Sequence, residues 1–238
     1  MRDERMRWIL FLTALLLAVP RFAGIVAGAF SYSRIDPDGA YAWISVHHIV
    51  QALPFLAAMI VIGRVRSIDF GFGWGDRKTG FRFVRIFSLV FAGYTAVSMI
   101  IVLVFGTFRT FPYPLTARNV IGQLAFQLLL SGPSEELIFR AFAITMLMLP
   151  IKRKVMIGPA SVATILAAII FALAHVGVSL SPFTLIGDPF QVVYAAGLGV
   201  VYGICYERTG SVYYPMILHS ISNVVAVAVS SAATLILA

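Results

Sequence analysis

The sequence predicts an all-α protein, a polytopic membrane helix bundle of about seven transmembrane helices, and three observations predict it. Of 238 residues, 60% are hydrophobic and only 12% charged, against about 25% charged in an ordinary soluble domain. The apolar residues fall into seven runs, most of them at or above the roughly 20 residues that cross a bilayer core. The basic residues, finally, are divided unevenly between alternate loops, as they are in membrane proteins of fixed orientation.

The seven runs are 8–30, 41–63, 83–107, 120–149, 159–176, 190–206 and 213–237. The start of the chain has the basic-then-apolar pattern of a signal peptide, but the first run continues past Pro20 and Arg21 and is read as an uncleaved helix. Pro20 is expected to bend it, with Arg21 snorkelling or pairing with an inward carboxylate. With the N-terminus in the cytoplasm, thirteen of the eighteen Lys and Arg lie on inner segments: three before run one, five between runs two and three with Arg85 at the inner end of run three, Lys152, Arg153 and Lys154, and Arg208. Only Arg34, Arg109 and Arg118 lie outside, and Arg21 and Arg140 are inside runs. This contrast requires run 120–149 to cross once. Thirty residues of helix measure about 45 Å, so that segment should tilt, kink or protrude. The chain divides into residues 1–118, holding helices 1–3, and residues 119–238, holding helices 4–7, within one bundle.

The formal charge of +8 is spread over several loops, so it reads as topology and not as a nucleic-acid surface. Membrane lipids are the expected partners. The sole cysteine, Cys205, excludes an internal disulfide framework and reads as a small core residue. The loop 64–82 holds glycines at 71, 73 and 75 without the strand and Lys-Ser/Thr of a phosphate loop; Phe70, Phe72 and Trp74 are expected at headgroup level. Gly24 with Gly28, and Gly199 with Gly203, allow close helix contacts.

The chemistry concentrates in residues 131–140. Glu135, Glu136 and Arg140 stand inside an otherwise apolar run, where a charge costs at least a few kcal/mol and so faces the protein interior. On a helix Glu136 and Arg140 share a face in the favourable order for an ion pair, and Glu135 points about 100° away. Ser131 to Ser134 read as a break followed by a fresh helix N-terminus, with Ser134 its cap. A buried structural pair would explain Glu136 and Arg140; a second adjacent glutamate favours function. Run five ends Phe171 to His175, and run seven holds His219 and Asn223 four apart on one face. Each alone reads as a satisfied buried imidazole or a polar clasp between helices. Together they suit hydrolysis of a peptide bond, which needs a base for water, a proton carrier and oxyanion donors. Glu135 can take the proton from water, His175 can orient that water or serve the leaving amine, and His219 and Asn223 can donate to the oxyanion. His47 and His48 point apart and read as structural, or pH-sensitive at most. Ser131, Ser134, Ser220 and Ser222 lack a base at helical spacing.

Glu135-Glu136 with Arg140, Phe171 with His175, and His219 with Asn223, ordered on successive late runs, resemble the CPBP (Abi) intramembrane protease family, which includes the type II CAAX prenyl endopeptidases. The turn from Tyr206 to Ser211 also resembles it. The resemblance covers about residues 120–223 and implies a catalytic core from the last four helices. It implies Glu135 and His175 as the water-activating pair, completed by His219 and Asn223 and supported by Glu136, Arg140 and Phe171. Ala141 departs from the glycine many members carry after the arginine. The substrate it implies is a membrane-associated peptide or protein, prenylated where the host makes such proteins, and the location a prokaryotic plasma membrane. Cofactor-free catalysis by glutamate-activated water is the preferred reading. The alternative is a zinc site ligated by Glu135, His175 and His219, without the His-Glu-x-x-His pattern. A non-catalytic scaffold or bacteriocin-immunity protein, and a proton-coupled carrier, are the rival classes.

Overall fold

The computed structural model describes residues 2–151 and 155–237; Lys152, Arg153 and Lys154, counted above for topology, lie outside the described residues. Helix α1 (Arg2–Gly28) and α2 (Ala42–Arg66) form an antiparallel hairpin, the Gly24 and Gly28 surface lying against Trp43 and His47 at the start of α2. Then come α3 (Arg77–Val104), an interrupted rod over residues 117–148, α7 (Val162–Ala174), α8 (Pro189–Thr209) and α9 (Tyr213–Leu237). Among the described residues the helices therefore number seven, and five of them, α1, α2, α3, α8 and α9, are long and apolar enough to cross a membrane. This is the composition of a multi-pass membrane protein.

The two remaining rods differ from the plain spans expected of them. Residues 117–148 comprise α4 (Ala117–Phe126), a π-helical turn (Gln127–Ser131), α5 (Gly132–Glu136), a second π turn (Leu137–Phe142) and α6 (Ala143–Met148). From Ile138 to Ile144 every residue is buried, so this part of the rod is enclosed by other helices, while Ile121, Leu128 and Leu129 nearer its start are exposed. Run 159–176 contracts to the thirteen residues of α7, about 20 Å long and shorter than a bilayer core. The short strands β1 (Met156–Ile157) and β2 (Ala160–Ser161) take up its start. Ser161 then caps the helix by accepting from the Thr164 N–H at 3.1 Å. At the far end Gly177 opens a hairpin of β3 (Gly177–Leu180) and β4 (Phe183–Ile186). All these flanking residues are apolar or small, so hydropathy could not separate turn from helix.

Close packing places α7 against α8 and closes the inner loop. A Cβ on Gly199 or Gly203 would press on Ala168 or Thr164, and Cys205 is buried nearby. Ser161 and Thr164 both donate to the Glu207 carboxylate of α8. The loop before α3 does not lie at headgroup level along its whole length. Phe70 is buried and stacks on Phe142 with ring centroids 6.5 Å apart, while Phe72 and Trp74 are exposed. Gly71 and Gly75 adopt positive φ, and the Asp76 N–H donates to the Thr209 carbonyl (2.8 Å) as the Val212 N–H does to Gly71 (2.9 Å). The loop is thereby clasped to the turn between α8 and α9.

The opposite loop, residues 29–41, is organised by Asp36. Its buried carboxylate accepts the N–H groups of Ala40, Tyr41 and Ala42 at 2.7–2.8 Å. Asp38 accepts from Asn119 at 2.9 Å, and Gln123 donates to the Ala40 carbonyl. These contacts pin the start of α2 onto α4 and set the register of the two helices. Burial alone would raise the Asp36 pKa, but those three N–H groups and the charge of Arg118 outweigh it and hold it below its ordinary value. A depressed folded-state pKa gives stability that is present above the unfolded value and lost as pH falls through the folded one. Asp36→Asn should therefore cost about 2 kcal/mol at neutral pH and flatten the acid limb of a thermal-melt series below about pH 4.

Candidate active site

The rod over residues 117–148 does not restart at Ser131. Ser131 (φ −57°, ψ −67°) and Gly132 (φ −56°, ψ −54°) remain in right-handed helix, so no fresh N-terminus forms there. Ser134 is not a cap. Its hydroxyl lies 3.2 Å from the Ser131 carbonyl and 2.7 Å from His48 Nδ1. What accommodates Pro133 is the π turn before it, whose widened backbone takes up the missing N–H and the ring.

Gly132 is where this rod meets α9. A Cβ there would lie 2.8 Å from the Ser220 nitrogen, so only glycine permits this approach. Three polar bonds then fasten the two elements. Ser220 Oγ donates to the Leu128 carbonyl (3.0 Å), Asn223 Nδ2 donates to Ser131 Oγ (2.9 Å), and His219 Nδ1 donates to Glu136 Oε1 (2.8 Å). The other Glu136 oxygen lies 3.0 Å from Arg140 Nε, and both side chains are fully buried. The Arg140 guanidinium carbon sits 4.6 Å from the centre of the Phe171 ring and 5.5 Å from that of Tyr202. Tyr202 in turn stacks on His219 at 5.1 Å and exchanges a hydrogen bond with Ser222. The Glu136–Arg140 pair thus fixes the orientation of one imidazole.

Glu135 points elsewhere, into a cavity of about 250 Å³ that His175, His219 and Asn223 also line. Its oxygens lie 3.6 Å from His219 Nε2 and 3.8 Å from His48 Nε2. Those separations exceed a direct hydrogen bond and are close enough for strong Coulombic coupling in a dry interior. His175 Nδ1 donates to the Phe171 carbonyl at 2.8 Å. A carbonyl only accepts, so in the neutral ring the proton is on Nδ1 and Nε2 is bare. The segment behind it is steadied by Arg21, which donates to the Val176 carbonyl (3.1 Å) and to Leu17 (2.6 Å). Arg21 therefore meets carbonyls, not the inward carboxylate expected of it.

Helix positions counted from the loops put His175 and His219 at different depths. The short α7 resolves this, because it ends at His175 before reaching the far side. The Phe171 ring is 6.0 Å from that of His219 and 4.8 Å from that of His175, so the two imidazoles flank one aromatic ring and line one cavity.

His48 was missed as a site residue. It is buried, touches Phe126 edge-on at 5.0 Å, and receives Gln51 Nε2 at 3.2 Å on Nδ1. An amide nitrogen only donates, so Nδ1 accepts and the ring proton is on Nε2, facing Glu135. Nothing in the spacing of α2 announces this contact, since its partners are 86 and 87 residues away. The same pairing supplies Ser134 with the base that serine spacing did not show, though Ser134 does not line the cavity.

Of the residues weighed for zinc, Glu135, His175 and His219, all three line the cavity, and the bond from His219 Nδ1 to Glu136 leaves Nε2 as the ring nitrogen beside Glu135. Among the described residues no three His, Cys, Asp or Glu side chains are placed to hold an ion.

Residues 117–225 match the family model described as type II CAAX prenyl endopeptidase Rce1-like. No curated protein and no solved structure matches the chain. The matched segment runs from the start of α4 to the middle of α9. It contains Glu135, His175, His219 and Asn223, and it excludes His48.

Proposed function

We propose, from the match of residues 117–225 to the type II CAAX prenyl endopeptidase Rce1-like family model, that this chain is an intramembrane endopeptidase acting on membrane-associated substrates, prenylated where the host makes such proteins. The observation that carries the reading is the single cavity lined by Glu135, His175, His219 and Asn223. Glu135 removes a proton from a water held against it, and the water oxygen attacks the scissile carbonyl carbon. The oxyanion accepts from Asn223 Nδ2, a donor worth on the order of 3 kcal/mol, and lies beside His219 Nε2, which donates to it whenever that ring carries a second proton. As the tetrahedral intermediate collapses, the carbon–nitrogen bond breaks. The leaving amine takes the proton from Glu135, relayed by the bare Nε2 of His175. Glu136 and Arg140 act through His219 and touch no reacting atom. The excess of basic residues on one set of loops favours an N-terminus in the cytoplasm.

His48 serves as a positioning residue for Glu135. His48→Ala should lower kcat by about 10- to 100-fold, in the range typical of groups behind a catalytic residue, with KM nearly unchanged. His48→Gln, which restores a donor toward Glu135, should recover part of that loss. A purely structural role would instead lower the melting temperature and leave kcat per folded molecule intact.

The reading as a whole is tested by comparing the peptides of membranes carrying the wild-type chain with those carrying Glu135→Gln at equal expression. The expected result is a set of cleavage products that vanishes in the variant. Identical peptide sets, with the biological effect of the chain retained, would mark a scaffold instead of an enzyme.

A further inference from the structure

A second and larger hollow, about 930 Å³, runs between α3 and α8. At one end it is lined by Arg82 and Arg208, both exposed. At the other it is closed by Tyr94 and Tyr194, whose rings stack with centroids 5.9 Å apart. Between them the walls are apolar, with Ile86, Val90 and Val201 open to the surroundings of the helix pair. The two helices run antiparallel here, and from Arg82 to Tyr94 is twelve residues, about 18 Å. One leaflet of the hydrocarbon core is about 15 Å deep. The hollow thus extends from an interface to mid-membrane. Its charged end lies on the side where the basic residues of the chain gather.

The charges at that end are not already neutralised. Among the described residues no carboxylate pairs with Arg82 or Arg208. The acidic side chains nearest them in sequence are occupied: Asp76 accepts from Thr79, and Glu207 accepts from Ser161 and Thr164. Two guanidinium groups lining one end of an acyl-length apolar slot complement a phosphodiester with a hydrocarbon chain below it.

We propose that the groove between α3 and α8 is a binding site for one anionic glycerophospholipid, its phosphate at Arg82 and Arg208 and one acyl chain running to the Tyr94–Tyr194 pair. The site adjoins the cavity around Glu135, for Tyr194 and Leu198 line both. Along the groove wall Phe87 meets Tyr202 edge-on at 5.7 Å, and Tyr202 stacks on His219. A bound lipid would therefore brace the wall that carries His219. The lipid site stands independently of whether Glu135 is catalytic, and its test measures binding alone.

The experiment is native mass spectrometry of the purified full chain, offered phosphatidylglycerol or phosphatidylcholine of identical acyl chains. Preference for phosphatidylglycerol should be about tenfold. It should fall to near parity in the Arg82→Gln/Arg208→Gln double variant. Arg64→Gln/Arg66→Gln, which removes two basic residues at the end of α2 away from the groove, should leave it unchanged. Val201→Trp, which fills the slot without altering charge, should reduce retention of phosphatidylglycerol. Equal retention of both lipids by the wild type, or an unchanged preference in the Arg82/Arg208 variant, overturns the proposal. So does displacement of the lipid by farnesylcysteine methyl ester with equal ease in wild type and double variant, which would make the groove a prenyl site.

Discussion

Glu135→Gln should abolish hydrolysis of a prenylated reporter peptide in reconstituted vesicles, with a fall in kcat of at least about 10³-fold, while the helices stay assembled. The size follows from the role: a positioned general base contributes about 10²–10⁴-fold, and glutamine cannot accept the proton. Packing changes little, because the amide occupies the volume of the carboxylate and the side chain borders a cavity instead of a filled core. The neighbouring imidazoles remain held without it, His219 by Glu136 and His48 by Ser134 and Gln51. A thermal melt of the variant should therefore fall within about 1 kcal/mol of wild type. Asn223→Ala should be milder in rate, about 10²–10³-fold for a lost oxyanion donor. It should be harsher in stability, since it also frees Ser131 from α9. Full activity in Glu135→Gln would remove the base from the reaction and with it the protease reading.

The polar residues gathered at this candidate site are legible in the sequence because each motif lies on one helix. Glu136 and Arg140 meet at i,i+4, His175 follows Phe171 by one turn, and His219 precedes Asn223 by one turn. Local periodicity suffices to pair such residues. The contacts that close the site are of another kind. His48 reaches Ser134 and Glu135 only because Asp36, Asp38 and Gln123 lock the start of α2 onto α4, a tertiary register that hydropathy does not encode. The helix count was legible for the same local reason, and the lengths were not. Apolar turns around Pro159 and Val176 have the hydropathy of helix, so the pattern overestimates the length of α7. The continuity of the rod through Pro133 was likewise hidden. Gly132-Pro133 is the signature of a break, and only the π turn before it and the close approach of Ser220 explain why the helix continues.

Arg140→Met should destabilise the protein by about 3–5 kcal/mol, the cost of leaving a buried carboxylate without its partner. Glu136 is fully enclosed, so it cannot turn to solvent; its remaining contact is His219 Nδ1. The double variant Glu136→Leu/Arg140→Met leaves no unpaired charge at the core of the bundle. Replacing a buried pair by apolar side chains of similar volume is often neutral or stabilising, so most of the lost stability should return in thermal melts under identical detergent. Activity should not return with it. Without the Glu136 carboxylate the imidazole of His219 loses the acceptor that fixes its ring, and Nε2 is no longer aimed beside Glu135. The pair of variants therefore separates two functions that the single ion pair combines, holding the helices together and orienting a donor. If the double variant recovers both stability and turnover, Glu136 is only a strut, and the orientation of His219 must be set by Tyr202 and Ser222 instead.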